Sequence, residues 1–192
     1  ATFETSYIPT NGTTITRGWE VPTMTGTDLN DVFNPTEGTM FYEASVSNLT
    51  NGNQPIVAFR DVSNTAASYH AMGHAIGGSP GTVRTWARDA SANNVHLTSH
   101  SGLVAGSFYN HMYGYKYNNY SDAFSQGTTS AQTNTTSGDY SMLTAGLIDE
   151  LRFGGYYSGP ETTTYSLEAG HIKRFSYWRT KLSNTQIKTY VS

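Results

Sequence analysis

The sequence contains no cysteine, so neither a disulfide nor a thiolate metal site can form. Charged residues are scarce, at 13% of the chain against roughly 25% in an average soluble domain. The 11 lysines and arginines and 14 aspartates and glutamates give a formal net charge of −3, without the basic excess typical of nucleic-acid binding. No apolar run approaches the ~20 residues of a membrane span, and no signal peptide is visible. These absences argue against nucleic-acid binding and membrane insertion, and favour assembly in a reducing cytosol.

Threonine, serine, asparagine, 19 glycines and 14 tyrosines supply the polarity that charge does not. This mixture suits twisted strands joined by tight turns. It is also typical of surfaces that bind through hydroxyls, amides and aromatic rings. The chain of 192 residues has no internal repeat and no clear boundary, so a single domain over 1–192 is expected. The polar stretch 125–139 predicts a long hairpin connection.

Short segments rich in β-branched and aromatic residues recur between glycine, asparagine and proline turns. The predicted strands are 14–19, 37–47, 55–61, 68–76, 82–88, 94–99, 107–118, 150–154 and 170–178. In the second of these, Met40, Tyr42, Ala44 and Val46 alternate onto one face. Many short strands without intervening helices predict an all-β sandwich of two antiparallel sheets.

One helix is predicted, at the C-terminus. Ser183 precedes it and Gln186 follows three residues later, which is the pattern of a capping box. Ile187, Tyr190 and Val191 fall at helical spacing and would pack one face on the sandwich. The helix is about two turns long, so it should be stable only when docked.

Both ends of the chain resemble a domain of bacteriophage tail and tail-fibre proteins. The opening TSYIPTNGTTITRGWEV (5–21) leads through Thr-Arg into NPTEGTMFYEA (34–44), and the closing GHIKRFSYWRTKLSNTQIKTYVS (170–192) resembles the family's final strand and Leu-Ser-capped helix. YGYKYNNY (113–120) and ELRFGG (150–155) match more loosely. The wider superfamily is the concanavalin A-like, or laminin-G-like, jelly roll.

The chain departs from that family in two places. Arg179 follows the aromatic pair Tyr177-Trp178 where the family usually has proline, and the region 60–140 is longer than the family pattern. The resemblance implies a concanavalin A-like jelly-roll sandwich with a short C-terminal helix. It also implies a structural or adhesion module of the virion.

The segment 82–88 supplies the main candidate binding residues. Alternation places Arg84, Trp86 and Arg88 on one strand face. A row of two arginines and a tryptophan suits an exposed face that stacks on a sugar ring and pairs with an acidic group. The alternative is a buried Trp86 with arginine stems at its edges. Further candidate ligand-binding residues are His70, His74, Tyr117 and Tyr120; the alternative for the histidines is a place in the core.

Catalysis has little support in the sequence. A retaining glycosidase needs two carboxylates about 5 Å apart, but Asp149 and Glu150 are adjacent and would point to opposite faces of a strand. A polysaccharide lyase would use histidine, tyrosine and arginine, and no lyase-like motif is present. The sequence therefore predicts no catalytic residue and no enzyme.

No metal site and no cofactor are predicted either. The pairs His70/His74 and His96/His100 are four residues apart, which would suit a metal on a helix but spans roughly 13 Å on a strand. Pairing between strands could still bring histidines together. Bound calcium is a further option, with Asp28, Asp31 and Asp61 as candidate ligands in turn-like segments.

The functional expectation is a module of a phage tail or fibre that recognises a host-surface glycan without turning it over. It would be made in the host cytoplasm, reside in the virion, contact other virion proteins and form a homo-oligomer, with a trimer favoured. The alternatives are a purely structural capsid or tail decoration domain, a polysaccharide depolymerase or lyase, and a cellular lectin.

Overall fold

A computed structural model describes residues 22–49, 54–60, 69–74, 80–88, 94–116, 119–127, 132–136, 148–158, 163–166 and 170–192. The described elements are β1 (Thr23–Thr25), α1 (Gly26–Val32), β2 (Glu37–Val46), β3 (Gln54–Arg60), β4 (Tyr69–His74), β5 (Thr82–Arg88), β6 (Asn94–Ser101), β7 (Tyr109–Lys116), β8 (Tyr120–Ser125), β9 (Gln132–Thr136), β10 (Glu150–Phe153), β11 (Gly155–Ser158), β12 (Thr163–Ser166), β13 (Gly170–Trp178) and α2 (Asn184–Val191). Within these ranges, neither helix has the length and apolarity that crossing a membrane requires.

Most of the strands form two antiparallel sheets. The six-stranded sheet has the order β1-β10-β3-β4-β5-β6, and the five-stranded sheet has the order β13-β2-β7-β8-β9. A separate hairpin of β11 and β12 lies against β3. Residues 54–59 of β3 are all buried, so this strand is covered on both faces. The predicted sandwich of two antiparallel sheets is confirmed.

Aromatic side chains fill the space between the two sheets. Phe59 of the six-stranded sheet stacks on Phe33 with ring centroids 4.8 Å apart and contacts Tyr177 at 5.7 Å. Tyr42 meets Tyr109 edge to face at 5.7 Å within the five-stranded sheet. Such aromatic pairs add to the large apolar area that each ring buries. The predicted face of Met40, Tyr42, Ala44 and Val46 is confirmed, since all four belong to this core.

Helix α2 packs on the outer side of the five-stranded sheet. Its capping box is formed. The backbone N–H of Gln186 donates to Ser183 Oγ at 3.3 Å, and the backbone N–H of Ser183 donates to the side-chain oxygen Gln186 Oε1 at 2.9 Å. Ile187 and Val191 are buried, whereas Tyr190 is 48% exposed and contacts Trp178 at 5.3 Å. The predicted docked helix is confirmed, but Tyr190 lies at the rim of the interface between the helix and the sheet and not inside it.

Two sequence predictions are corrected. The segment with Asp28 and Asp31 is the helix α1, not a turn, and both aspartates are exposed on it while Leu29 is buried. Asp28 lies in the first turn, where a negative charge is stabilised by the helix dipole. Within the predicted loop 125–139, residues 132–136 form β9 on β8, since threonine suits an edge strand despite its polarity. The predicted strand 14–19 lies outside the described residues.

Candidate functional site

Strand β5 separates its side chains onto two faces as the sequence predicted. Val83 and Thr85 point toward the five-stranded sheet, where Val83 joins the core and Thr85 Oγ1 lies 3.2 Å from His111 Nε2. Arg84 and Trp86 therefore point to the outer face. Arg88 ends the strand, and its side chain lies outside the described residues.

The Trp86 ring is enclosed, which corrects the expectation of an exposed stacking platform. Its exposure is only 2%, although Leu97, its partner in register on β6, is 48% exposed. A tryptophan has so much apolar surface that its burial is favoured wherever a cover is within reach. The exposed groups of this region are Leu97 and, in part, Arg84, and the face of the indole is closed to a ligand.

Arg84 lies beside Trp86 and is partly exposed. Its Nε donates to Ser99 Oγ on the neighbouring strand at 3.2 Å. This contact orients the guanidinium group while its remaining N–H groups keep the geometry that suits a carboxylate.

Further guanidinium groups lie on the same outer face. Arg152 lies opposite Ala58 on the neighbouring strand, and the same row of cross-strand neighbours continues through β4 to Trp86. Arg60 Nε lies 2.9 Å from Glu150 Oε2, and Arg152 Nη2 lies 2.8 Å from Glu150 Oε1. Two cations thus share one nearly buried carboxylate. We call this outer surface of Arg60, Arg84, Trp86, Glu150 and Arg152 the arginine face.

Of the remaining predicted binding residues, the structure describes the side chain of Tyr120 alone. His70 and His74 lie on β4, and their side chains are outside the described residues. Tyr120 is 2% exposed and stacks on Tyr113 at 6.2 Å, which corrects the expectation that it binds a ligand.

Tyr117 and the candidate calcium ligand Asp61 lie outside the described residues.

A polar cluster lies between the sheets, at the level of β6, β7 and β8. His100 Nε2 is 3.0 Å from Asp122 Oδ2, and His111 Nε2 is 3.6 Å from the same oxygen. Thr98 Oγ1 donates to that oxygen as well. His111 Nδ1 lies 3.2 Å from the hydroxyl of Tyr42. We call His100, His111 and Asp122 the histidine–aspartate cluster.

Burial and hydrogen bonding set the protonation of this cluster. Burial by itself raises the pKa of Asp122, but the hydrogen bonds and charge offered by His100 and His111 outweigh it. The pKa of Asp122 therefore lies well below its usual range, and the group is a carboxylate. Burial also lowers the pKa of His111 against the opposing effect of Asp122, so its imidazole is neutral at pH 7.

The three side chains of the histidine–aspartate cluster have their ligand atoms within 4.8 Å of one another. Among the described residues, this is the group of at least three histidine or acidic side chains that comes so close together. Sequence reasoning gives Asp122 no role, and the i, i+4 spacing of His96 and His100 points to the wrong pair. The true partners come from three strands of two sheets, so no spacing in the sequence signals them.

No family model matches the sequence. No curated protein matches it either.

Solved structures do share the fold. The IT-sialidase CBM40 of Ruminococcus gnavus, bound to α2,6-sialyllactose, gives a TM-score of 0.59 at 14% identity over 82% of this chain and 84% of that chain. A mutant of the NanB sialidase from Streptococcus pneumoniae gives 0.60 at 13% identity, over 88% of this chain and 26% of the sialidase. Tailspike protein 2 of bacteriophage CBA120 gives 0.56 at 14% identity, over 83% of this chain and 25% of the tailspike chain.

At these identities the likeness concerns the fold. Together with the two antiparallel sheets and the docked helix α2, it establishes that this chain is a jelly-roll sandwich of the concanavalin A-like type.

Proposed function

We propose that this chain is a recognition module that binds an acidic glycan at the arginine face without catalysing a reaction. The observation that carries the proposal is the charge of that face. Arg84 is partly exposed there, and Arg60 and Arg152 lie on the same side of the sheet in ion pairs with Glu150, although the whole chain has a net charge of −3. A guanidinium group pairs with a carboxylate through two parallel hydrogen bonds, which suits a sugar acid.

The fold adds support for a glycan ligand. The structural match covers 84% of the Ruminococcus gnavus module, which was solved bound to sialyllactose, an acidic sugar. A fold alone does not determine a function, so the argument rests on the arginines. Leu97 and Ser99 are exposed beside Arg84, and they offer an apolar contact and a hydroxyl at the point of entry.

The proposed setting is a bacteriophage tail or fibre. The segments 5–21, 34–44 and 170–192, which resemble phage tail proteins, support it, and one quarter of a phage tailspike chain has a similar fold. In that setting the glycan belongs to the host surface, the chain is made in the host cytoplasm, and the virion supplies its other partners. We expect a homo-oligomer, with a trimer favoured.

Binding without catalysis is supported by the location of the titratable groups. The histidine–aspartate cluster lies buried between the sheets, where a polysaccharide chain has no access. A depolymerase or lyase needs its acid and base within hydrogen-bond reach of the substrate.

A purely structural virion domain is the second candidate. The burial of Trp86 favours it, because an adhesin that stacked sugars on this face would leave the ring open. The two candidates differ in whether Arg84 acts on a ligand.

The test is calorimetric titration of the purified chain with sialyllactose, with lactose and with polysaccharide extracted from candidate hosts, followed by sizing of the polysaccharide. We expect binding of at least one acidic glycan, no binding of lactose, and no shortening. Arg84→Gln should abolish the binding. Arg174→Gln should not, because Arg174 is exposed on the five-stranded sheet over the ring of Phe41.

Three results would contradict the proposal. Equal binding by wild type and Arg84→Gln would remove the arginine face as the site. Shortened polysaccharide would indicate a depolymerase. The absence of binding across an acidic panel would leave the structural domain as the better account.

A further inference from the structure

We propose that the histidine–aspartate cluster is a structural metal site, with Zn²⁺ or a similar divalent ion held by His100 Nε2, His111 Nε2 and Asp122 Oδ2. This proposal is independent of glycan binding, because the cluster lies in the core and the arginine face lies on the opposite side of the six-stranded sheet. It also departs from the sequence prediction of no metal site.

The ligand atoms converge as a metal site requires. Zinc bonds of 2.0–2.1 Å in a tetrahedron place ligand atoms about 3.3 Å from one another. Asp122 Oδ2 lies 3.0 Å from His100 Nε2 and 3.6 Å from His111 Nε2, which brackets that value. All three ligand atoms lie within 4.8 Å of one another. Two imidazoles and one carboxylate form a donor set that zinc uses with a fourth, neutral ligand.

The two oxygens of Asp122 are used very unequally. His100 and Thr98 contact Oδ2, and His111 lies nearby, whereas Oδ1 is buried and has no hydrogen-bond partner among the described residues. A carboxylate stabilised by hydrogen bonds alone would gain by sharing its donors between both oxygens. A cation at Oδ2 accounts for the convergence of these groups on that one oxygen, because it would add to the compensation of the buried carboxylate.

The surroundings of the cluster suit a bound metal. The Tyr42 hydroxyl lies 3.2 Å from His111 Nδ1, so it can accept the N–H of the nitrogen that faces away from the metal, which fixes the ring. The ring of Phe124 stacks on His100 at 5.9 Å. All three candidate ligands are buried, so an ion held by them would be shielded from solvent.

An ion at this point would connect the two sheets. His100 belongs to β6 of the six-stranded sheet, and His111 and Asp122 belong to β7 and β8 of the five-stranded sheet. The unfolded chain has no such site, so the free energy of metal binding would add to the stability of the fold. Because all three ligands are buried, the ion is best supplied while the chain folds.

The experiment is refolding of the full chain from urea with ZnCl₂ or with EDTA, followed by gel filtration, metal analysis and thermal unfolding. We expect one zinc per chain after refolding with zinc, and a melting temperature roughly 5 °C or more above that of the EDTA sample. Refolding with Co²⁺ should give the visible absorption of a tetrahedral cobalt site.

Variants locate the ion. His100→Gln and His111→Gln should lose it, and His171→Gln should keep it, because His171 is exposed on β13. The decisive result comes from the wild type, so a variant that fails to fold does not obscure it. Wild-type protein with no zinc above the EDTA sample and an unchanged melting temperature would overturn the proposal, as would zinc that survives both cluster substitutions.

Discussion

Glu150 is the residue on which the charge of the arginine face depends. Its side chain is 5% exposed and bonds Arg60 and Arg152, whose side chains are 13% and 14% exposed. Removal of one partner from a buried ion pair leaves a charge in the interior without compensation. Glu150→Gln should therefore lower the free energy of unfolding by about 3 kcal/mol, as measured by urea denaturation.

Glu43 offers a matched control for that measurement. Its carboxylate lies 2.6 Å from Lys173 Nζ, and the lysine is 59% exposed. Exposed pairs contribute less than about 1 kcal/mol because water and salt screen them. Glu43→Gln should have a small effect, and equal effects of the two substitutions would show that the Glu150 pairs add no more than a surface contact.

At the scale of elements, the contact between α2 and β7 depends on a missing side chain. A Cβ atom at Gly114 would lie 2.8 Å from Ile187 Cδ1, so Gly114→Ala forces the Ile187 side chain or its helix to shift. We expect a loss of about 1–3 kcal/mol in the free energy of unfolding, as for other overpacked cores. Ile187→Val removes the clashing methyl group, so the double variant should lose less than the sum of the two single losses. Additive losses in denaturation would contradict the contact.

Elements whose signals are local could be predicted from the sequence. The alternation in β2 and the Ser183–Gln186 cap of α2 each depend on residues a few positions apart, and both are confirmed. Helix α1 could not be predicted, because aspartate, asparagine and glycine favour turns and one buried leucine, Leu29, decides the outcome.

The site was less predictable than the fold. Alternation alone put Arg84 and Trp86 on the outer face, but the cover over Trp86 depends on tertiary packing that alternation does not encode. The approach of His100 to Asp122 depends on how two sheets stack. The pairing of Arg60 and Arg152 with Glu150 depends on the register of β3 with β10, which a single sequence does not specify.

At the scale of the whole molecule, the last 23 residues, 170–192, close the sandwich. Strand β13 pairs with β2 from Gly170–Val46 to Trp178–Thr39, and the Tyr177 hydroxyl accepts a hydrogen bond from the Asn34 amide across 143 residues of sequence. Helix α2 then covers Phe41, Met112 and Ala123. The five-stranded sheet therefore depends on pairing between segments that are far apart in the sequence, which is typical of slow-folding topologies.

Two truncations separate the contributions of that segment. Removal of 184–192 exposes the sheet under Ile187 and Val191, each of which contributes about 1.5–3 kcal/mol by burial. The free energy of unfolding of a whole domain is about 5–15 kcal/mol. The protein that lacks 184–192 should therefore remain folded at low temperature, unfold at a much lower temperature than the full chain, and bind a hydrophobic dye. Removal of 170–192 also takes away the edge partner of β2, and circular dichroism should then show no cooperative transition. A cooperative transition in the protein that lacks 170–192 would mean that β2 and β7 hold the five-stranded sheet together without β13.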